Sequence, residues 1–401
     1  MFPRSKAWRT AAAVAGVLAG LTLIILIAAI QLVTTLPIHE RATDVPSIAA
    51  GPPAARYTRP VEESRRLARA LLVGNTLPGL SVAVAVNGEM VWAEGFGLAD
   101  PESGTPLTPL TRFRLGALSK PLTAMGAAVL HERGRLDLDA AVQRYVPAYP
   151  EKQWTVTTRQ LMGDVAGVHR IRGDNNDAMP VDHCASLDES VAMLRDDPLL
   201  FEPGTRHRYS IWGWVLVSAA VEGAAAERFD RFMVRQVFEP LAMNRTVVAE
   251  TDDLDDGPPR HVPPRALAGI RLGAKEAKRP DYSCLAGGGA FLSTPTDLVR
   301  LGSAMIKPGF LKAETIAAFH TPTRLTSGRS TTYAQGWTVG TVPIGKQPSR
   351  IVSHRGSPMG ATVSLLTFPD LGLVVAAAAN ATHAGGVNAF AMQAAEAFTR
   401  R

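Results

Sequence analysis

Strand-forming segments sit at both ends of this chain with helix-forming ones between them, and that arrangement constrains the fold more than any other feature. Leu80 to Val86 is β-compatible, Asn87-Gly88 is the dipeptide a type I′ turn asks for, and Glu89 to Gly97 can return as the partner strand. A hairpin therefore opens a sheet. Near the other end Ile351 to Ser353, Ala361 to Phe368 and Gly372 to Ala379 read as strands, and Val387 to Arg400 as a terminal helix. The middle, about residues 119 to 245, carries helical patterns such as Leu187 to Leu194 and Trp214 to Glu222. Strands from both ends around a helical insertion imply a mixed sheet closed by a discontinuous helical lobe, in the α/β (α+β) class. No internal repeat is found.

At 401 residues and 46% hydrophobic, the chain can bury one large core or two lobes. The net charge of +6 does not mark a nucleic-acid surface, because Arg4, Lys6 and Arg9 supply half of it and residues 60–401 are left near +2. Ala11 to Val33 is a nearly unbroken apolar run of 23 residues. At about 1.5 Å per residue it matches a hydrocarbon core of roughly 30 Å, and it is longer than the apolar part of a signal peptide. The expectation is a single-pass membrane protein. Residues 1–10 form a basic cytoplasmic N-terminus, 11–33 an uncleaved transmembrane anchor, 34–59 a Pro-rich linker, and 60–401 a periplasmic or extracellular domain. Within that domain Val61 to Val73 reads as an amphipathic helix.

Cys184 and Cys284 have neither CxxC spacing nor a nearby histidine pair, which argues against zinc or dithiol chemistry. Two buried free thiols are the plainer reading, and a disulfide is the alternative for an exported domain. Asp252, Asp253, Asp255 and Asp256 lack an EF-hand's ligand spacing and read as a solvated loop. Arg172-Gly173-Asp174 reads as a chance tripeptide, and His169, His183 and His207 as surface or core histidines. Gly287-Gly288-Gly289 lacks the Lys-Ser/Thr of a phosphate loop and reads as a structural turn. No metal or cofactor is expected.

Four separated segments carry the chemistry. They are Phe113-Arg114-Leu115-Gly116-Ala117-Leu118-Ser119-Lys120, Pro203-Gly204-Thr205-Arg206-His207-Arg208-Tyr209-Ser210-Ile211, Ala286-Gly287-Gly288-Gly289-Ala290-Phe291-Leu292-Ser293-Thr294 and Ser353-His354-Arg355-Gly356-Ser357. In that order they resemble the serine β-lactamase-like and penicillin-binding-protein-like hydrolases, in the branch of class C β-lactamases, D-Ala-D-Ala carboxypeptidases and esterases. Leu136 to Lys152 is most similar to the mitochondrial serine β-lactamase-like branch and its bacterial relatives. The resemblance covers about residues 60 to 400. It implies a β-lactamase/transpeptidase-like fold, an antiparallel sheet flanked by helices plus a helical lobe.

The same resemblance implies roles. Lys120 matches the lysine of the Ser-x-x-Lys motif, which helps activate the nucleophile, and Tyr209 the tyrosine of Tyr-x-Asn, a general base when an ammonium lies beside it. Substrate would be bound by Ile211, at the asparagine position, and by His354, Gly356 and Ser357, which match the His-x-Gly strand. Backbone N–H groups at 117 and 357 would form the oxyanion hole. The departures are as informative. Ala117 occupies the nucleophile position, and Ser119 points about 100° away from Lys120 on a helix of 3.6 residues per turn. Arg355 replaces a small threonine and would crowd the strand edge. Leu161-Met162-Gly163-Asp164-Val165-Ala166-Gly167 resembles a Leu-Leu-x-His-x-Ser-Gly-Leu turn with Asp164 and Ala166 in place of histidine and serine. The expected function is a membrane-anchored pseudoenzyme of this hydrolase fold, binding small peptide, ester or β-lactam-like ligands, with membrane contact through the N-terminal helix and no nucleic acid. Homo-oligomer formation is left open. The alternative is an active serine hydrolase carrying an engineered Ser-to-Ala change.

Overall fold

The structure is a computed structural model that describes residues 6–33, 38–170, 183–248, 261–262, 275–276 and 281–400. Helix α1 (Lys6–Val33) forms over the apolar run, and its described side chains are residues 13–29. The expected single-pass anchor and periplasmic placement are corrected: among the described residues no helix is long and apolar enough to cross a membrane. The segment read as a linker also differs. Val45 is buried, and strand β1 (Ser47–Ala49) pairs with Glu94, Gly95 and Phe96, so the folded unit takes in residues before 60.

Helix α2 (Thr58–Gly74) is followed by the hairpin of β2 (Gly79–Val86) and β3 (Glu89–Asp100), joined through Asn87 (φ 53°) and Gly88 (φ 87°). Both turn residues have positive φ, as a type I′ turn requires. The chain returns to this sheet with β4 (Thr338–Ile344), β5 (Gln347–Gly356), β6 (Thr362–Phe368) and β7 (Leu373–Ala379). The order is β1-β3-β2-β7-β6-β5-β4, and the two-residue strand Thr105–Pro106 pairs with β3. Every pairing is antiparallel, which replaces the mixed sheet read from periodicity with the antiparallel one implied by the resemblance.

Alternation along the strands divides two cores, because successive side chains leave opposite faces. Leu80, Val82, Val84, Val375 and Ala377 face Val61, Ala68, Leu72, Phe390 and Ala394 of α2 and α10 (Val387–Thr399). Ala83, Ala85, Val374 and Ala376 face the other way, onto α8 (Pro295–Ile306) and the helical lobe. The lobe comprises α3 (Ser119–Glu132), α4 (Thr158–Met162), α5 (Leu187–Ala192), α6 (Trp212–Ala225) and α7 (Phe229–Met233), with α9 (Ala313–Phe319) beside it. The aspartates 252–256 and Arg172-Gly173-Asp174 lie outside the described residues.

Candidate active site

Ala117 lies in the 3₁₀ turn Gly116–Leu118 that leads into α3. It is half-buried while its neighbours from Arg112 to Gly116 and Leu118 to Lys120 are buried, so this one position opens to solvent. Ser119 cannot substitute for a nucleophile here. Its side chain is fully buried, and its Oγ accepts a hydrogen bond from the Phe291 N–H at 3.2 Å.

Lys120 has no solvent exposure. Its Nζ donates to the Ser210 carbonyl at 3.1 Å, lies 3.3 Å from the centroid of the Tyr209 ring, and stands 4.0 Å from Asp164 Oδ2. The ring contact is a cation–π one; it brings Tyr209 and Lys120 together as expected, with the aromatic face toward the ammonium.

Asp164 is brought here by the turn after α4. That short helix starts at a capping box, in which the Thr157 side chain accepts from the Gln160 N–H and the Gln160 side chain accepts from Thr157 N–H. The turn then passes through Asp164 with φ 55°, a conformation Asp and Asn tolerate better than most residues. The Asp164 carbonyl accepts from Arg208 N–H at 2.8 Å and its Oδ1 from Ser210 N–H at 3.3 Å, so this one residue fixes the stretch that carries Tyr209 into α6. Burial pushes its carboxyl up to about 6, against the pull of Lys120, the Ser210 N–H and the Trp214 indole. No hydrogen bond of full geometry reaches Oδ2.

His354 on β5 faces the same cluster. Its Nδ1 lies 2.8 Å from the Arg355 carbonyl and its Nε2 3.1 Å from the Tyr333 hydroxyl. A carbonyl only accepts, so Nδ1 carries the proton and Nε2 accepts from Tyr333. Burial and then the Lys120 charge lower the His354 imidazole to about 3, so it is neutral. Tyr333 is held well above its ordinary value by burial, then by Asp164 and Tyr209, and keeps its proton.

Gly356 is required by close approach: a Cβ there would sit 1.8 Å from the Leu115 carbonyl oxygen. The end of β5 thus lies directly on the turn that holds Ala117, and Ser357 follows it, 3.2 Å from Nδ1 of His383 through its Oγ. Arg355 does not crowd this edge. Val352 belongs with the lobe-side core and Ile351 with the α10 side; alternation puts His354 with Val352 and Arg355 on the α10 face, where it lines a cavity of about 350 Å³ with Ser364 and Asn388. Ile211 is half-buried at the start of α6 and packs against the lobe core, an apolar wall in the place of a hydrogen-bond donor.

Behind the site the glycine run forms the 3₁₀ turn Ser283–Gly288. The Gly287 carbonyl accepts from Thr123 Oγ1 of α3 at 2.9 Å and its N–H donates to Ser218 Oγ of α6 at 3.0 Å. Cys184 and Cys284 form a disulfide with Cα atoms 4.9 Å apart, the second of the two readings left open by sequence. It ties the segment entering α5 to this turn. Near it His183 Nδ1 lies 2.8 Å from Asp281 Oδ2; among the described residues no group of three or more metal-ligating side chains is present.

Ala117, Lys120, Tyr209, Ile211, His354, Gly356 and Ser357 therefore come from α3, the entry to α6 and the end of β5 to one region of the molecule. Asp164, seen in the sequence only as a departure, and Tyr333, not singled out at all, complete it. Asp164 had a signal in its motif position; Tyr333 had none.

A sequence profile of the β-lactamase family matches residues 65–397. The mouse mitochondrial serine beta-lactamase-like protein LACTB is 29% identical over 84% of this chain and 78% of its own length. Penicillin-binding protein 4* of Bacillus subtilis is 27% identical over 72% and 65%. Among solved structures, the octameric penicillin-binding protein homologue from Pyrococcus abyssi superposes with a TM-score of 0.69 at 23% identity, covering 83% of this chain and 76% of that one, a likeness of fold. With the profile spanning most of its length and the antiparallel sheet and helical lobe in place, this chain belongs to the β-lactamase family.

Proposed function

We propose that this protein is a catalytically impaired member of the serine-hydrolase fold, binding small peptide-like, ester or β-lactam-like ligands at the solvent-open position around Ala117 without acyl transfer. The observation that carries the reading is Ala117 itself, open to solvent at the head of α3 and one helical turn from a fully buried Lys120. Covalent catalysis needs an oxygen there, and Lys120 with Tyr209 can hold a proton but has no nucleophile to deprotonate. The site otherwise keeps a family shape. Glycine at 356 keeps the β5 edge against the turn, and the N–H groups at 117 and 357 need no serine side chain to serve as oxyanion donors. Ser119 offers no rescue, being buried and already engaged by Phe291.

Titration calorimetry with a penicillin and with a D-amino-acid peptide ester, beside fluorophosphonate labelling, tests this. Reversible binding without labelling is the expected result. Stoichiometric labelling, at Ser119 or elsewhere in the cleft, would overturn it.

A further inference from the structure

Arg355 leaves β5 on the side away from Lys120, into a recess between β5, β6 and the start of α10. Arg355 and Ser364 face each other across the two strands, and Gly386, Val387 and Asn388 close over them. The space enclosed is about 350 Å³, at the small end of ligand pockets.

The lining gives this recess a definite chemistry. Arg355 is exposed, and among the described residues no carboxylate pairs with it, whereas Arg65, Arg159 and Arg300 each hold one at 2.7–2.8 Å. Its donors are available. Buried Ser364 donates its hydroxyl to Asn388 Oδ1 at 2.9 Å, which commits the amide oxygen and leaves the amide NH2 to offer two further donors. No acidic side chain is found among the described residues that line the space.

The fork of an arginine matches two oxygens of one carboxylate or phosphate, and such charge-assisted bonds are stronger than neutral ones. With the sheet on one side and a helix on the other, water screens the pair less than at an open surface. We propose that this recess is a second ligand site, taking a small anion that bears a carboxylate or phosphate group, held by Arg355 and the Asn388 amide. It backs onto the region around Ala117, sharing Gly356 and Ser357 with it. Its ligand does not depend on the residue at position 117.

Calorimetric titration of the full chain with succinate and with inorganic phosphate, at an ionic strength fixed with sodium chloride, tests the site. Saturable one-to-one binding of at least one anion is expected; binding of phosphate alone assigns the ligand to phosphates, and of succinate alone to carboxylates. Arg355→Gln should weaken that binding at least about tenfold, and Arg355→Lys, which keeps the charge but not the fork, should weaken it less. Asn388→Asp is the second variant. Its carboxylate can still accept from Ser364, but it sets a negative charge in the recess, and affinity should again fall at least about tenfold. Should one variant fail to fold, the other decides. Arg329→Gln, at another exposed arginine, should leave anion binding unchanged, and Arg355→Gln should leave unchanged the affinity for a neutral D-amino-acid peptide ester. No saturable binding of either anion, binding that survives Arg355→Gln or Asn388→Asp, or an equal loss in Arg329→Gln overturns the proposal. A loss of ester affinity in step with that of the anion overturns a separate site.

Discussion

The two faces of the sheet solve the problem of buried charge differently. On the α2 and α10 side, Glu94 is almost wholly buried yet accepts from Arg65 Nε at 2.8 Å and from the Trp92 indole at 2.9 Å. On the lobe side, Asp164 is just as buried, but its carboxylate accepts from the Ser210 N–H at 3.3 Å and has its lysine only at 4.0 Å. The first side also packs Phe390, Ala391 and Ala394 on a run of valines and alanines. The second carries Asp164 and Ala286 at positive φ, with Ala286 at φ 41°, ψ −132°. At Asp164 and Ala286 local strain and a loosely satisfied carboxyl lie beside the candidate site, and the rest of the fold must hold them in place. One face serves as scaffold and the other carries the candidate site.

Changes on the scaffold face should cost stability and spare the site. Phe390→Ala empties a fully packed position between α10 and the sheet, and about 3–5 kcal/mol should be lost in urea unfolding with ligand affinity unchanged. A comparable loss of affinity would mean that the two faces are not separable. Next in size is the Cys184–Cys284 bridge, which spans 100 residues of sequence. Replacing both cysteines by serine should cost about 2–4 kcal/mol, and unlike Phe390→Ala it should also weaken ligand binding, because the bridged turn holds α3 and α6 through Gly287. Unchanged binding would detach the bridge from the site.

The third test uses pH. His354 and His320 are both lowered to about 3, chiefly by burial, so the stability they contribute is present above about pH 6.5 and is lost as pH falls. Asp164, raised to about 6, runs the opposite way: its contribution is present below about pH 3.8 and is lost as pH rises through 6. Between about pH 6 and 4 it offsets part of the acid loss, so Asp164→Asn should steepen the decline by up to roughly 3 kcal/mol. Parallel curves for the two proteins would show that Asp164 does not titrate as a buried, poorly paired acid. The smallest effect is expected from Glu94→Gln, about 1–2 kcal/mol, since Arg65 is partly exposed and can be rehydrated.

Much of this contrast was legible in the chain, and unevenly so. The hairpin through Asn87-Gly88, the strands of β6 and β7 and the terminal helix follow from periodicity and turn chemistry that tertiary packing did not override. Strand β4 escaped because TVGTVPI lies on the sheet edge, mostly exposed, with glycine and proline inside it and no buried face to impose alternation. β1 escaped for its length, three residues in a proline-rich stretch. At the site, Lys120, Tyr209, His354 and Gly356 were recognisable because each sits in a motif. Asp164 pairs with Lys120 only through a turn 44 residues away in the chain, at a positive φ that sequence does not disclose. The direction of Arg355 depended on the register and phase of β5, which a threonine-to-arginine change cannot reveal.

The central claim, that the cleft binds without acylating because no oxygen stands at position 117, meets its most direct test in one experiment. The unaltered protein is incubated with excess benzylpenicillin, and intact mass is recorded before and after dialysis. A thermal shift that disappears on dialysis, with the protein mass unchanged throughout, is the outcome expected from Ala117. A penicilloyl adduct that survives dialysis and denaturation would contradict it.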